Sequence, residues 1–137
     1  MKLKKYSGVT LIELQITVLI ISIIAIIATN LYTSYVRKAR RIDAINAILS
    51  MSLAEEQYRS NNTLYGTLAQ TWGGVTASPE GYYTLSIANV SASSYTITAT
   101  ATGDQVNDAV DGTSCTPITL AVSNGVVTKS PSVCWPS

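Results

Sequence analysis

Residues 8–28 read GVTLIELQITVLIISIIAIIA, a stretch that is apolar on every side except at Glu13 and Gln15. From Leu14 to Val36 the chain carries no charged residue, an uncharged run of 23 positions. As a helix this run would be about 35 Å long, enough to cross a hydrocarbon core of ~30 Å. A lone spanning segment must be helical, because lipid offers no partners for unpaired backbone groups. The stretch therefore predicts one membrane-spanning helix near the N-terminus.

The residues before this stretch indicate an unusual processing order. Residues 1–8 read MKLKKYSG and contain three lysines, and Gly8 is the one obvious small-residue cleavage site. An ordinary secretory signal places its cleavage site after the apolar segment, and cleavage removes that segment. Cleavage between Gly8 and Val9 would instead leave the membrane segment on the mature protein. We expect residues 1–8 to be a leader peptide and residues 9–36 to be a membrane-spanning helix.

Beyond Val36 the pattern becomes amphipathic, and residues 37–61 predict a second, water-exposed half of the same helix. Four apolar residues recur along it at helical spacing, and we expect them to form the face that packs on the rest of the protein. They are Ile42, Ile45, Leu49 and Leu53. The helix is predicted to run from Val9 to about Arg59, just before the turn-like Ser60-Asn61-Asn62.

Residues 62–137 predict a small globular β head. Four segments have the alternation or composition of strands, and Asn124-Gly125 between the last two is a strong two-residue hairpin signal. The segments are Tyr82–Val90, Tyr95–Thr102, Ile118–Val122 and Val126–Thr128. We expect an antiparallel sheet of three or four strands whose apolar face packs on the helix. The predicted fold class is α+β.

Composition argues against an enzyme. The chain has no histidine, its net charge is +1, and it lacks a glycine-rich phosphate loop or a nucleophile paired with a base. Three aspartates share one loop, and their spacing is not that of an EF-hand. They are Asp104, Asp108 and Asp111. We interpret this loop as solvated and acidic, with weak calcium binding as the alternative, and we predict no cofactor and no metal cluster.

Three motifs resemble those of type IV pilins. Residues 8–14, GVTLIEL, resemble the prepilin cleavage motif, and residues 32–36, YTSYV, resemble the Tyr-x-x-Tyr-Val segment of type IVa pilins. The ending Cys134-Trp135 is similar to the C-terminus of several minor pilins. Two positions depart from the usual pattern, since the family usually has phenylalanine at Val9 and proline at Asn30.

The resemblance implies roles for the N-terminal residues. Prepilin peptidase would cleave between Gly8 and Val9, and the new α-amine of Val9 would be N-methylated. Glu13 would pair with the Val9 amine of a neighbouring subunit during assembly. A carboxylate that is costly in lipid when it is unpaired would thereby become half of an ion pair. Gly8, Val9 and Glu13 are the predicted processing and assembly residues.

The resemblance also includes a C-terminal region closed by a cysteine pair. A disulfide between Cys115 and Cys134 needs an oxidising compartment and would stabilise the head by about 3 kcal/mol.

Four basic residues follow the predicted span, and we interpret them as an anchor at the membrane surface. They are Arg37, Lys38, Arg40 and Arg41.

The implied function is that of a structural subunit of a type IV pilus, a surface filament used for adhesion, twitching motility or DNA uptake. The small size and the C-terminal ending favour a minor pilin. The partners would be other pilins, prepilin peptidase, the inner-membrane assembly platform and the lipid membrane. The subunit would reside in the inner membrane before assembly and in the surface pilus afterwards. A major pilin, a type II secretion pseudopilin and a DNA-binding or adhesive pilin remain as alternatives.

Charge argues against nucleic acid as a ligand of the head. Beyond Asn61 the chain has one basic residue, Lys129, against four acidic residues, a net charge of −3. Because phosphate binding requires lysine and arginine, we expect this head to repel DNA. A head truncated before Ile42 is predicted to show no DNA retention.

Overall fold

The computed structural model describes residues 8–136, apart from the side chain of Asn30. Residues 1–7 of the predicted leader lie outside this range. Helix α1 spans Leu11–Arg59, so it begins two residues after the predicted start at Val9 and ends where the sequence predicts. Its first turn is capped by Thr10, whose Oγ1 accepts a hydrogen bond of 3.3 Å from the backbone N–H of Glu13. A threonine at this position satisfies a helical N–H that otherwise has no partner.

The chain forms two compact units, one up to Tyr35 and one from Val36 onward. In the first unit every side chain described from Gly8 to Tyr35 is exposed. The second unit contains the rest of α1, the short helix α2 at Leu68–Thr71, and all the strands.

The strands of the second unit form two antiparallel sheets. The strands are β1 Tyr83–Ala88, β2 Ser94–Ala101, β3 Ala109–Val110, β4 Thr113–Ser114, β5 Ile118–Ser123 and β6 Val126–Ser130. The main sheet has the order β1-β2-β5-β6, and β3 pairs with β4 in a small separate hairpin. The predicted α+β fold, a long N-terminal helix with a small antiparallel sheet, is confirmed.

The sheet has the alternation that the sequence predicts. In β2 the side chains of Tyr95, Ile97 and Ala99 are buried, and threonines alternate with them on the other face. Asn124 and Gly125 have positive φ angles of 50° and 79°, as a two-residue turn between antiparallel strands requires. The predicted hairpin between β5 and β6 is therefore present.

The prediction of which face of α1 packs on the sheet was wrong. Ile45 is buried, but Ile42, Leu49 and Leu53 are 56%, 45% and 72% exposed. The buried apolar residues of α1 lie on another face, and they are Ala44, Ile45, Ala47, Ile48 and Met51.

Charged residues that are buried on α1 explain the error. Arg41, Asp43 and Glu55 are all buried, and a sequence pattern counts each of them as polar. The Glu55 carboxylate accepts hydrogen bonds of 2.7 Å from the backbone N–H of Gly66 and from Oγ1 of Thr71. A buried charge is tolerated where such bonds satisfy it. Glu55 thereby fastens the loop that follows α1.

Candidate functional site

The predicted processing and assembly residues lie at the exposed start of α1. Gly8 precedes the helix, an added Cβ there would meet open space, and Val9 is 73% exposed. Glu13 lies in the first turn of α1, where a negative charge is favoured by the helix dipole. Within residues 8–136 no basic side chain is ion-paired with Glu13. The geometry leaves the peptide bond after Gly8 accessible and the Glu13 carboxylate available.

The apolar half of α1 has a surface suited to lipid or to other apolar helices. The residues described include one helix that is long and apolar enough to cross a membrane, and its most apolar window is not buried by any other part of the protein. Three of its hydroxyl groups pair within the helix. Oγ1 of Thr17, Oγ of Ser22 and Oγ1 of Thr29 donate to the carbonyl oxygens of Glu13, Val18 and Ile26 at 3.0, 2.7 and 2.9 Å. Internal pairing of this kind is what a low-dielectric surrounding requires.

Two residues of the basic cluster after this segment, Arg37 and Arg41, contact the aspartate loop. The Arg37 guanidinium contacts the Asp104 carboxylate through two hydrogen bonds of 3.2 and 3.0 Å. One helical turn later, Arg41 contacts Asp108 through two bonds of 2.6 Å each. We call these two bidentate pairs the Arg–Asp clamp. It ties α1 to the 3₁₀ helix Gly103–Asn107, which follows β2, and to Asp108 at the end of that helix.

The two pairs of the clamp differ in solvent exposure. The Arg41 and Asp108 side chains are 6% and 3% exposed, whereas those of Arg37 and Asp104 are 24% and 60% exposed. The hydrogen bonds from Arg37 hold the pKa of Asp104 below its usual value, and the same bonds raise the pKa of Arg37. The outer pair is therefore screened by water, and the inner pair is a buried contact between charges.

The clamp corrects two interpretations made from the sequence. The loop is not simply solvated, because Asp108 is buried against Arg41. Asp104 and Asp111 are exposed as predicted, although Asp104 is also ion-paired with Arg37. Arg37 and Arg41 are occupied by these aspartates, so the membrane-anchor interpretation extends at most to Lys38 and Arg40. Arg37 and Arg41 are four residues apart, as are Asp104 and Asp108. This matched spacing could have indicated the two ion pairs, but it is too common in sequences to identify them.

A further contact fixes the same loop. The side-chain amide of Gln105 donates to the backbone oxygen of Arg37 and to the hydroxyl of Tyr83, both at 2.9 Å. Gln105 is almost fully buried, which is unusual for glutamine. Sequence reasoning missed this residue, because an isolated glutamine in a polar loop gives no signal of burial.

The predicted disulfide is present. Cys115 and Cys134 are joined with an S–S distance of 2.01 Å and a Cα–Cα distance of 5.6 Å. The backbone N–H of Cys115 donates to the carbonyl oxygen of Asp108 at 2.9 Å. The disulfide and the clamp therefore stabilise the two ends of one continuous segment.

The weak-calcium alternative for this loop has no structural support. Among residues 8–136 no group of three or more histidine, cysteine, aspartate or glutamate side chains could hold a metal ion. Asp104 and Asp108 direct their oxygens to arginines instead.

A comparison with models of known protein families finds a match that covers most of the second unit. Residues 31–119 match the model of a family described as type IV minor pilin ComP, DNA uptake sequence receptor. The match covers more than half of the chain and includes the clamp, β1 to β4 and the start of β5. The chain belongs to this family of type IV minor pilins. The resemblance seen in the sequence is thereby confirmed, and the family is not one of enzymes.

The match begins after most of the apolar segment, so it is independent of the cleavage motif at residues 8–14. It also ends before Cys134 and Trp135, the ending that resembles minor pilins. Two separate parts of this minor pilin thus indicate the same class of protein. No curated protein matches the chain closely enough to serve as a relative.

The charges on the second unit of this minor pilin are nearly balanced. From Val36 onward the sequence has six basic and seven acidic residues, a formal net charge of −1. Four of the basic residues make no carboxylate pair among the described residues, and they are Lys38, Arg40, Arg59 and Lys129. Lys38 and Arg59 lie at opposite ends of this part of α1, roughly 32 Å apart. These cations do not form a compact patch along the helix.

Aromatic rings and carbonyl groups hold three of these four cations. The guanidinium of Arg40 lies 4.5 Å from the ring centre of Tyr82, and the ammonium of Lys129 lies 4.9 Å from that of Trp135. Arg59 donates to the backbone oxygens of Ala92 and Asn62 at 3.0 and 2.6 Å. Lys38 is exposed, and none of these contacts involves it.

Proposed function

We propose that this minor pilin is made with a leader that ends at Gly8, is held in the inner membrane by the first half of α1, and is then assembled into a type IV pilus. The observation that carries the proposal is the uncharged helical segment from Leu14 to Tyr35, whose described side chains are all exposed, in a chain of the minor pilin family. Such a surface is stable only in lipid or against other apolar surfaces. Membrane and filament supply these two surroundings in turn.

Cleavage between Gly8 and Val9 by prepilin peptidase gives the mature chain a new α-amine at Val9. This amine has a reference pKa near ~8 and is largely cationic at neutral pH, and N-methylation would keep the charge. We propose that it pairs with Glu13 of a neighbouring subunit. The exposed position of Glu13, with no ion-pair partner among residues 8–136, supports this role. Formation of the pair would favour assembly and fix the axial register.

Replacement of Glu13 tests this assembly role. Glu13→Ala should leave the protein in the membrane, because removing an unpaired carboxylate lowers the cost of insertion. It should nevertheless lower the amount of the subunit in sheared filaments when wild-type neighbours are present. Gln15→Ala is the matched control, since Gln15 is the other polar residue of the segment and has no charge. Equal incorporation of both variants would show that the carboxylate has no part in assembly.

DNA reception is the second candidate function, and the family description favours it, because it names a DNA uptake sequence receptor. The charge distribution argues for a structural role instead. With a net charge of −1 and scattered cations, the second unit would attract phosphates weakly. The same description favours a minor pilin over a major pilin or a secretion pseudopilin. Adhesion and motility would be properties of the filament that the subunit joins.

A mobility-shift assay separates the two functions, and the clamp determines which fragment to use. A head truncated before Ile42 would lose Arg37 and Arg41 and leave Asp108 buried without its partner, so the fragment should begin at Val36. Both this fragment and the full chain in detergent should be tested with genomic duplexes of the source organism and with scrambled duplexes. We expect no retention at physiological salt. Retention that falls steeply with salt, or that prefers one sequence, would make DNA reception the leading function.

Loss of natural transformation in a deletion strain would not distinguish these functions. Any subunit that the filament requires would give that phenotype, whether or not it touches DNA. Binding by the purified protein is therefore the relevant measurement.

A further inference from the structure

The two edges of the main sheet differ in how the rest of the chain covers them. At the β1 edge, the backbone N–H of Leu85 donates to the carbonyl oxygen of Thr76 at 2.6 Å, and the N–H of Ser78 donates to that of Tyr83 at 2.9 Å. At the opposite edge all five residues of β6 are exposed, and among the described residues β6 pairs only with β5. An uncovered edge of this kind is a template for pairing with another strand.

The backbone groups that point out of the β6 edge belong to Val127 and Lys129. The turn before β6 has two residues, so Ser123 and Val126 on its two sides exchange hydrogen bonds. Because hydrogen-bonded and non-bonded pairs alternate along an antiparallel ladder, Val127 and Lys129 direct their N–H and C=O groups away from β5. None of the described residues bonds to these outward groups. Pro131, which lacks an N–H, follows the strand and limits the free edge to these two residues.

We infer that β6 is a self-association surface, on which β6 of a second copy of this chain pairs in antiparallel orientation. The two four-stranded sheets become continuous across this contact. The inference goes beyond the proposed function and does not depend on it, because the pairing needs neither cleavage after Gly8 nor entry into a filament.

The edge is complementary to itself in one register. When the Thr128 residues of the two copies lie opposite each other, Val127 of each copy lies opposite Lys129 of the other. Each of these two pairs exchanges two hydrogen bonds, so every outward N–H and C=O of both strands gains a partner. Sliding one strand by two residues would leave half of these groups unpaired. The facing threonines add a favourable cross-strand pair.

The side chains of the edge agree with this register. Lysine on an edge strand usually protects the strand from pairing. Here the Lys129 ammonium lies 4.9 Å from the ring centre of Trp135 in its own chain, so it is held against its own head. Each lysine then lies beside Val127 of the second copy, which is 54% exposed and can pack on the lysine methylenes. A second copy thus satisfies both the backbone and the side chains of this edge.

The pairing does not fit neighbours within one filament. Antiparallel strands are related by a two-fold axis at right angles to their sheet. The second half of α1 packs on a face of this sheet, so the same axis reverses its direction in the second copy. In a filament built by one repeated operation all α1 helices run the same way. If the chain enters a filament as proposed, the contact therefore joins subunits of two filaments that run in opposite directions.

A cysteine at the centre of the pairing tests the inference in the full chain, purified in detergent. Thr128→Cys places two thiols at facing positions, with their Cα atoms about 4.5–5.5 Å apart, within the range for a disulfide. Val126→Cys is the matched control on the same face of the same strand, since its two copies would be offset by about 13 Å along the strands. Under mild oxidation we expect Thr128→Cys to give about tenfold more disulfide-linked dimer than Val126→Cys. Peptide mapping locates the new disulfide.

Charge at position 127 gives a second readout, in which two variants have opposite expected effects. In the Thr128→Cys background, Val127→Lys puts lysines directly opposite each other and should lower the yield of dimer. Val127→Glu puts a carboxylate opposite Lys129 of the second copy and should raise the yield. Equal crosslinking of Thr128→Cys and Val126→Cys, or the same effect of lysine and glutamate, would overturn the inference. Either result leaves the proposed function intact, which the mass of the mature chain tests separately.

Discussion

At the scale of single residues, buried charged groups determine how the head is built. The packed face of α1 includes Arg41 and Glu55, and each is satisfied by a segment distant in sequence. Sequence analysis could not foresee Asp108 or the Gly66 N–H as partners, so it did not expect charged residues on the packed face. The apolar line of Ile42, Ile45, Leu49 and Leu53 was therefore taken for the core, although only Ile45 of these four is buried.

The inner pair of the clamp should contribute far more to stability than the outer pair. Asp108→Asn leaves the Arg41 guanidinium buried without a carboxylate, and we expect it to lower the free energy of unfolding by about 3–5 kcal/mol. Asp104→Asn should have a much smaller effect, because that pair is exposed to water. Urea unfolding of the fragment from Val36 onward measures both changes. Equal effects of the two substitutions would contradict the assigned burial.

Two buried tyrosines should make the head sensitive to alkaline pH. Desolvation raises the pKa of Tyr83 and of Tyr95 to about 12, above the ordinary value of 10.0. Because the folded state holds these protons more tightly than the unfolded state does, the associated stability is fully present below pH 10. It is lost as pH rises from about 10 towards 12.

Urea unfolding of the same fragment at pH 8 and at pH 11 should show this loss of stability. In Tyr83→Phe the loss should be smaller, since one of the two titrating groups is absent. An unfolding free energy that did not change over this range would refute the assignment.

At the scale of elements, sequence patterns located the helix and strands well, because local rules govern them. The end of α1 at Arg59 and the turn at Asn124-Gly125 were predicted from the sequence. The hairpin of β3 and β4 was missed, although Asp111-Gly112 at its turn is a known signal. Strands of two residues are too short to show alternation, and the contact between α1 and residues 103–108 depends on tertiary structure alone.

The disulfide should matter most for the C-terminal elements. Cys115→Ser should destabilise the head by about 3 kcal/mol and lower its steady-state level, since a cross-link restricts the unfolded chain. The loop around Asp108 should be loosened as well, because Cys115 donates a backbone hydrogen bond to it. Cys134→Ser should have an equal effect on stability. Thiol labelling of both cysteines in untreated protein would refute the bridge.

At the scale of the whole molecule, the chain combines a unit with no core of its own and a unit with a well-packed core. All side chains described up to Tyr35 are exposed, whereas the head buries two tyrosines and several aliphatic side chains. An uncharged run of 23 residues is unsuited to a small water-soluble head, and for this reason the sequence indicates a separate membrane segment. It could not predict how the helix contacts the aspartate loop, nor whether the filament contains DNA-binding subunits.

The order of processing is the central claim, and the intact mass of the protein extracted from membranes tests it most directly. We predict a mature chain of Val9–Ser137 that is heavier than its sequence mass by one methyl group. This result would mean that the apolar helix is retained after cleavage at Gly8, as filament assembly requires. A mature N-terminus beyond Ala28 would mean that the helix is a secretory signal that is removed, and it would contradict the account.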